Sequence, residues 1–133
     1  MSKDLILVEK YDEFLKYIYP KLQQIPKNHG VLKARVINLV FEQPEIFYKA
    51  IKSNHISKLY EADASLASIR HMIRFLSSFE TVVYVEDKKN IGKKIRKNGK
   101  FLLDKTADRH ASLLLVEVGK ILGAAISSKQ KRQ

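Results

Sequence analysis

Arg70 and Arg74 stand four residues apart, with His71, Met72 and Ile73 between them and Phe75 and Leu76 after them. On a helix this spacing puts both guanidinium groups on one stripe. Arginine forms bidentate hydrogen bonds with phosphate oxygens, so such a stripe suits a polyanion. The plainer alternative is a polar helix face whose aliphatic stems cover apolar surface. A second basic concentration is longer. From Glu86 to Arg109, nine basic residues (Lys88, Lys89, Lys93, Lys94, Arg96, Lys97, Lys100, Lys105 and Arg109) stand against four acids, a net +5. Lys129, Lys131 and Arg132 near the C-terminus add +3, so the two stretches carry +8 of the total +11. A patch of this kind releases counterions on binding phosphates, and its affinity falls steeply with salt. A solvated loop and a frayed tail have the same composition. The two stretches flank the last apolar segment and converge on one end of the molecule if the connection before it folds back.

Other chemistries lack their residues. There is no Gly-x-x-x-x-Gly-Lys-Ser/Thr and no Gly-x-Gly-x-x-Gly; Gly92-Lys93-Lys94 has neither the upstream glycine nor the hydroxyl. A di-iron bundle needs Glu-x-x-His on two helices, and the chain has none. His29, His55, His71 and His110 are scattered. Asp12 and Glu13 are adjacent and Glu61 and Asp63 are two apart, so neither acid pair shares a helix face. No Gly-x-Ser-x-Gly elbow occurs. The expectation is a protein with no catalytic residue, no metal and no cofactor.

With 133 residues the chain suits one domain, 1–133, with a basic insertion at about 80–105 and a basic tail at about 129–133. The absence of cysteine removes disulfides, thiolate metal sites and a Cys nucleophile; it fits a reducing, cytoplasmic location. Net positive charge favours nucleic acid over an anionic membrane surface as partner. Met1-Ser2-Lys3-Asp4 leads into only four apolar residues, too few for a signal peptide. The longest later apolar stretch, Leu113 to Ile126, contains Glu117 and Lys120, so no segment is expected to span a bilayer.

Four helical segments must position these residues. The first, about 4–25, repeats Tyr11, Phe14, Leu15, Ile18, Leu22 and Ile25 at steps of three and four. Pro20 should bend it and Pro26 should end it. In the second, about 31–52, Leu32, Val36, Leu39, Val40, Phe47 and Ile51 make one face, with a second kink expected at Pro44. Ser53 or Asn54 reads as the N-cap of the third, about 55–79, where Leu59, Ala62, Leu66, Ile69, Ile73 and Leu76 form a bundle seam. The fourth, about 106–128 and capped by Thr106 or Asp104, carries two adjoining stripes: Leu114, Val118, Ile121 and Ala125, and Leu115, Leu122 and Ile126. So wide a face suggests burial on two sides, against the bundle and another subunit. Gly119 and Gly123 each cost about 1 kcal/mol of helix propensity and fit close helix packing. Between the third and fourth segments, Thr81 to Val85 is β-prone and Asn98-Gly99 is a favoured hairpin turn, so a small hairpin or an irregular basic loop fits there. The fold class is all-α: an up-down-up-down four-helix bundle.

Several stretches carry a family resemblance: Val8-Glu9-Lys10-Tyr11 with Tyr17-Ile18-Tyr19-Pro20, Ile25-Pro26-Lys27-Asn28-His29-Gly30-Val31, Lys52 to Ala64, Ile69 to Leu76, and Val116 to Gly123. Over most of 8–79 and 113–126 the chain resembles the accessory variability determinant (Avd) proteins of diversity-generating retroelements, within a four-helix-bundle family that includes proteins of 23S ribosomal RNA intervening sequences. The resemblance implies a non-catalytic homopentamer. It would bind the element's reverse transcriptase and template RNA, with DNA as a further nucleic-acid partner, in support of mutagenic homing. Arg70 and Arg74 match the family's paired arginines. Lys52, Lys58 and Lys120 match basic positions, and Gly119 and Gly123 match a packing motif. The basic stretch exceeds the connection expected in the family, so Lys93, Lys94, Arg96 and Lys97 are read from charge alone, as an RNA-gripping arm. Two other readings compete: an intervening-sequence-type bundle with a different RNA, and a structural oligomeric adaptor that touches no nucleic acid. A neighbouring reverse transcriptase gene separates the first, and salt-sensitive RNA binding the second. The aromatics fall mostly on core stripes, which offers no evident stacking platform.

Overall fold

A computed structural model describes residues 3–132, with side-chain surroundings from residue 6 to 131. Met1 and Ser2 of the expected opening, and the side chains of Lys3, Asp4, Leu5 and Arg132, therefore lie outside what the structure describes. The elements are α1 (Lys3–Gln23), a 3-10 turn (Lys27–His29), α2 (Gly30–Lys52), α3 (Ile56–Ser78), β1 (Glu80–Glu86), β2 (Lys94–Phe101) and α4 (Lys105–Arg132). The helices pack in a ring, α1 on α2, α2 on α3, α3 on α4 and α4 on α1. With short connections after α1 and α2 and the β1–β2 hairpin between α3 and α4, this is an up-down-up-down bundle. The expected stripes line its centre: Tyr11, Phe14, Ile18 and Leu22 from α1, Val36, Val40 and Phe47 from α2, Leu66, Ile69, Ile73 and Leu76 from α3, and Leu115, Val118 and Leu122 from α4.

Both internal prolines lie in unbroken helix. Pro44 has no N–H to give the carbonyl of Val40, four residues back. Tyr11 supplies the missing donor: its buried hydroxyl donates to the Val40 carbonyl across the α1–α2 seam. Burial pushes the Tyr11 phenol far above its ordinary range, because phenolate would lose its solvation and, secondarily, face the charge of the neighbouring Asp12 carboxylate. The α2–α3 seam has its own tie. Gln43, fully buried, donates through Nε2 to the Ala62 carbonyl at 3.1 Å and accepts from Ser65 Oγ at 2.8 Å.

Two caps differ in detail from expectation. Asp104 does cap α4, its Oδ1 accepting from the Ala107 N–H at 2.7 Å. Ser53 is instead the C-terminal residue flanking α2; its hydroxyl accepts from the His55 N–H at 3.1 Å, and His55 itself starts α3 with no side-chain cap. The helical bundle stands as expected, and between α3 and α4 the chain takes the small hairpin rather than the irregular loop: β1 and β2 pair antiparallel, so the fold is not strictly all-α. Asn98-Gly99 is not the hairpin's turn. Both residues lie within β2, where the register slips by one residue between Glu80↔Phe101 and Val82↔Asn98. A Cβ at Gly99 would collide with the Thr81 hydroxyl, which donates to the Lys100 carbonyl at 2.7 Å, so the glycine permits a bulge. The turn is Asp87–Lys93. Asp87 Oδ1 accepts from the Lys89 N–H at 3.0 Å, and Gly92 takes φ +92°.

Glu117 and Lys120 are a weaker bar to a bilayer span than expected, on length and composition alone. An eighteen-residue window of α4 has a mean hydropathy of 1.5, enough by length and composition to cross a bilayer. Glu117 and Lys120 are too few to offset the aliphatic residues around them. Ala107, Ala111, Leu115, Val118 and Leu122 are buried in the bundle, yet only 22 % of the window is buried, which leaves an apolar outer stripe.

Tyr11→Phe is expected to cost about 1–3 kcal/mol in urea unfolding, the penalty for an unsatisfied buried carbonyl. In a Pro44→Ala background the restored N–H should recover much of that loss. The folded-state phenol titrates above the unfolded one, so its contribution is complete below about pH 10 and declines as pH rises further. Tyr11→Phe should flatten that alkaline decline.

Candidate nucleic-acid interface

The hairpin leaves the bundle at the end where α1 meets α2. Leu102 and Leu103 plug that end, the Leu103 N–H donating to the Leu76 carbonyl at 3.1 Å. Beyond this anchor the strands stand in solvent on both faces. Lys88, Lys89, Lys93, Lys94, Arg96, Lys97 and Lys100 are all exposed, and no ion pair engages them among the described residues. Two of the four acids of this stretch serve local structure, Asp87 ordering the turn and Asp104 capping α4, whereas Glu86 is exposed and opposes Lys94 in the hairpin register. At the hairpin base a cleft of about 690 Å³ adds Lys21 and Lys105 to Lys100. Lys33 at the same end is occupied, donating to the carbonyls of Gln23 at 2.8 Å and Ile25 at 3.2 Å, which closes the C-terminus of α1.

The tail does not join this group. Lys129 donates to the Ser53 carbonyl at 3.0 Å, at the α2–α3 connection. A 28-residue helix is about 42 Å long, so the two basic stretches sit at opposite ends of α4. The bundle's alternation explains this: α4 runs the whole length of the barrel between them. Lys52 and Lys58 belong to the tail's end. Lys52 is exposed and lies 5.9 Å from the centre of the Tyr48 ring; Lys58 pairs with Glu61 at 3.3 Å.

Arg70 and Arg74 also part company. Arg70 is half-buried in the α3–α4 seam and donates through Nη2 to the Leu115 carbonyl at 2.9 Å. Its Nε is buried without a partner. The guanidinium lies over Gly119, where a Cβ would strike it. Arg70 is thus a packing residue, and Gly119 makes room for a side chain rather than for a backbone. Arg74 and Lys120 are exposed and have no ion-pair partner among the described residues. Gly123 departs from the packing expectation, since it is exposed and nothing lies within 4 Å of a Cβ there. The sequence-derived site residues therefore divide into three places: Lys93, Lys94, Arg96 and Lys97 on the hairpin, Arg74 and Lys120 along α3 and α4, and Lys52 and Lys58 at the far end.

Across the remaining seam Lys10 bridges Glu117 at 3.0 Å and Glu13 at 3.3 Å. The hydrogen bond to Glu117 is the chief reason its ammonium is held above the ordinary lysine range. Among the described residues no group of three or more His, Asp or Glu side chains could hold a metal ion. Sequence reasoning missed the contribution of Lys21 at the hairpin base, which carries no motif and depends on α1 ending beside β2.

A family model described as bAvd-like matches residues 5–103. The match runs through the hairpin and ends before α4, so Val116 to Gly123 lies outside it. No curated protein matches the chain.

Gly119→Ala should gain about 1 kcal/mol of helix propensity while expelling the Arg70 guanidinium from the Leu115 carbonyl. The two effects oppose, so urea unfolding should show little net change. In an Arg70→Ala background, where nothing is expelled, the same substitution should stabilise by about 1 kcal/mol.

Proposed function

The chain belongs to the bAvd-like family, and from that premise we propose that it is a non-catalytic accessory protein of a diversity-generating retroelement. In this reading it works in the cytoplasm as a homopentamer that holds the element's template RNA, and cDNA where it forms, beside the reverse transcriptase. The polymerase chemistry belongs to that partner. One observation carries the nucleic-acid part: the hairpin's seven cations are exposed with no ion pair among the described residues, while Asp87 and Asp104 are engaged in turn and cap. Unpaired surface charge costs self-repulsion, which a polyanion relieves. The run from Lys93 to Lys100, with five basic residues and no acid, suits a phosphate backbone better than a protein surface of mixed sign.

Self-association draws support from α4. Its outer stripe exposes Leu113 and Val116, and Gly123 gives up helix propensity without an intrachain reason. An apolar stripe of this kind on a helix that already fills the core fits contact with a second copy. The number five comes from the family resemblance. Arg74 and Lys120 flank this stripe on the same side of the bundle as Arg70 and remain candidates for contact with the reverse transcriptase.

Light scattering at high salt should give a pentamer-sized particle. RNA titration at two salt concentrations should give affinity that falls steeply with salt, and replacing Lys93, Lys94, Arg96 and Lys97 together by alanine should flatten the slope by about 3 in log–log units, at about 0.7–0.9 per lost phosphate contact. A monomer indifferent to RNA would sink the reading, and an unchanged slope would remove the hairpin from it. Gly123→Ala should weaken the assembly while stabilising the fold of the dissociated chain.

A further inference from the structure

The hairpin has two chemically different faces. Side chains alternate along a strand, and directly opposed residues share a face. Val83 with Lys97 and Val85 with Ile95 occupy one face. Tyr84 with Arg96, Val82 with Asn98 and Glu86 with Lys94 occupy the other. Tyr84 is 65 % exposed, well above Phe41 at 47 % and Tyr60 at 46 %, the next most exposed aromatics. Its hydroxyl makes no hydrogen bond among the described residues, and the cation–ring contacts of the molecule involve Tyr17, Tyr48 and Phe101 instead. The ring therefore stands in water, with the Arg96 guanidinium opposite and Lys94 and Asn98 on the diagonals.

We propose that Tyr84 is a stacking platform for an unpaired nucleobase, with Arg96 and Lys94 holding the flanking phosphates of a single strand. The inference rests on the nucleic-acid reading above and specifies its ligand. An exposed aromatic amid cations is the arrangement by which single-stranded nucleic acid is held without sequence readout, since every base offers a π-face. A paired duplex buries those faces, so it engages the lysines alone. Among the described residues the two-stranded hairpin has no layer behind it, which leaves both the ring and the strand edge free to meet a flexible chain. The proposal departs from the expectation that no such platform is evident: of the aromatics only Tyr11, Phe14 and Phe47 are buried in the core, and Tyr84 is the most exposed of the rest.

The test compares wild type, Tyr84→Phe and Tyr84→Ile, titrated with oligoadenylate and with an RNA duplex of equal phosphate count. Isoleucine keeps strand propensity and removes the π-face. Tyr84→Ile should weaken oligoadenylate binding by roughly 5- to 150-fold, the range of about 1–3 kcal/mol per stacked base, with salt slope and duplex affinity unchanged. Tyr84→Phe should bind as wild type does. The single-stranded DNA analogue should show the same loss, because stacking is indifferent to the 2′-hydroxyl. Wild-type affinity for oligoadenylate in Tyr84→Ile, or an equal loss for duplex and single strand, would overturn the platform while leaving the salt-dependent RNA reading intact. A wild-type protein that binds neither probe would overturn both.

Discussion

The bundle is held in register by side chains that cross a seam and donate to the backbone of the next helix. Tyr11 reaches the Val40 carbonyl, Gln43 reaches Ala62 and Arg70 reaches Leu115. Apolar stripes alone allow helices to slide by a turn at small cost, because leucines and isoleucines repack with similar volume. A buried donor tolerates no such slide, since a missed partner costs about 1–3 kcal/mol. Each tie also has a local reason. Pro44 leaves the Val40 carbonyl short of its helical donor, and Gly119 opens the path to Leu115. The fourth seam is closed at the surface by Lys10 and Glu117, where exposure keeps the ion pair weak.

This arrangement changes the meaning of the basic residues. The net charge of +11 is not one site. One arginine is consumed in packing, one lysine closes a helix end, and another bridges acids. Of the rest, the two dense stretches lie at opposite ends of α4. At physiological ionic strength exposed charges are screened beyond about 8 Å. The hairpin and the tail, about 42 Å apart along the helix, therefore act as separate electrostatic surfaces. Of the two, the hairpin concentrates unpaired cations on a projecting structure, whereas the tail's Lys129 is tied to the bundle.

Much of the fold was legible in the spacing of apolar residues. Steps of three and four placed all four helices; the predicted α3 stripe is wholly buried core, as is the α1 stripe apart from the half-buried Leu15. Periodicity is local, and a helix reads its own sequence. The hairpin was visible as a β-prone run but its turn was not. Asn98-Gly99 has the dipeptide of a tight turn, yet the longer loop closed by Asp87, Asn90 and Gly92 competes successfully and leaves Gly99 to a bulge. The site was legible as composition. Which cations remain free was not, because Arg70 and Leu115 are 45 residues apart and no local pattern joins them.

By itself, then, the sequence determined the helices, the apolar stripes, the cation excess and a resemblance that the family match extends through the hairpin. Tertiary structure alone decided that the two basic stretches face opposite ways, that Gly119 serves a guanidinium, and that Tyr84 stands opposite Arg96 in water. The division has a physical basis. Propensity and periodicity are sums over neighbours a few residues apart, whereas the fate of a charge depends on what the folded chain brings within hydrogen-bonding reach.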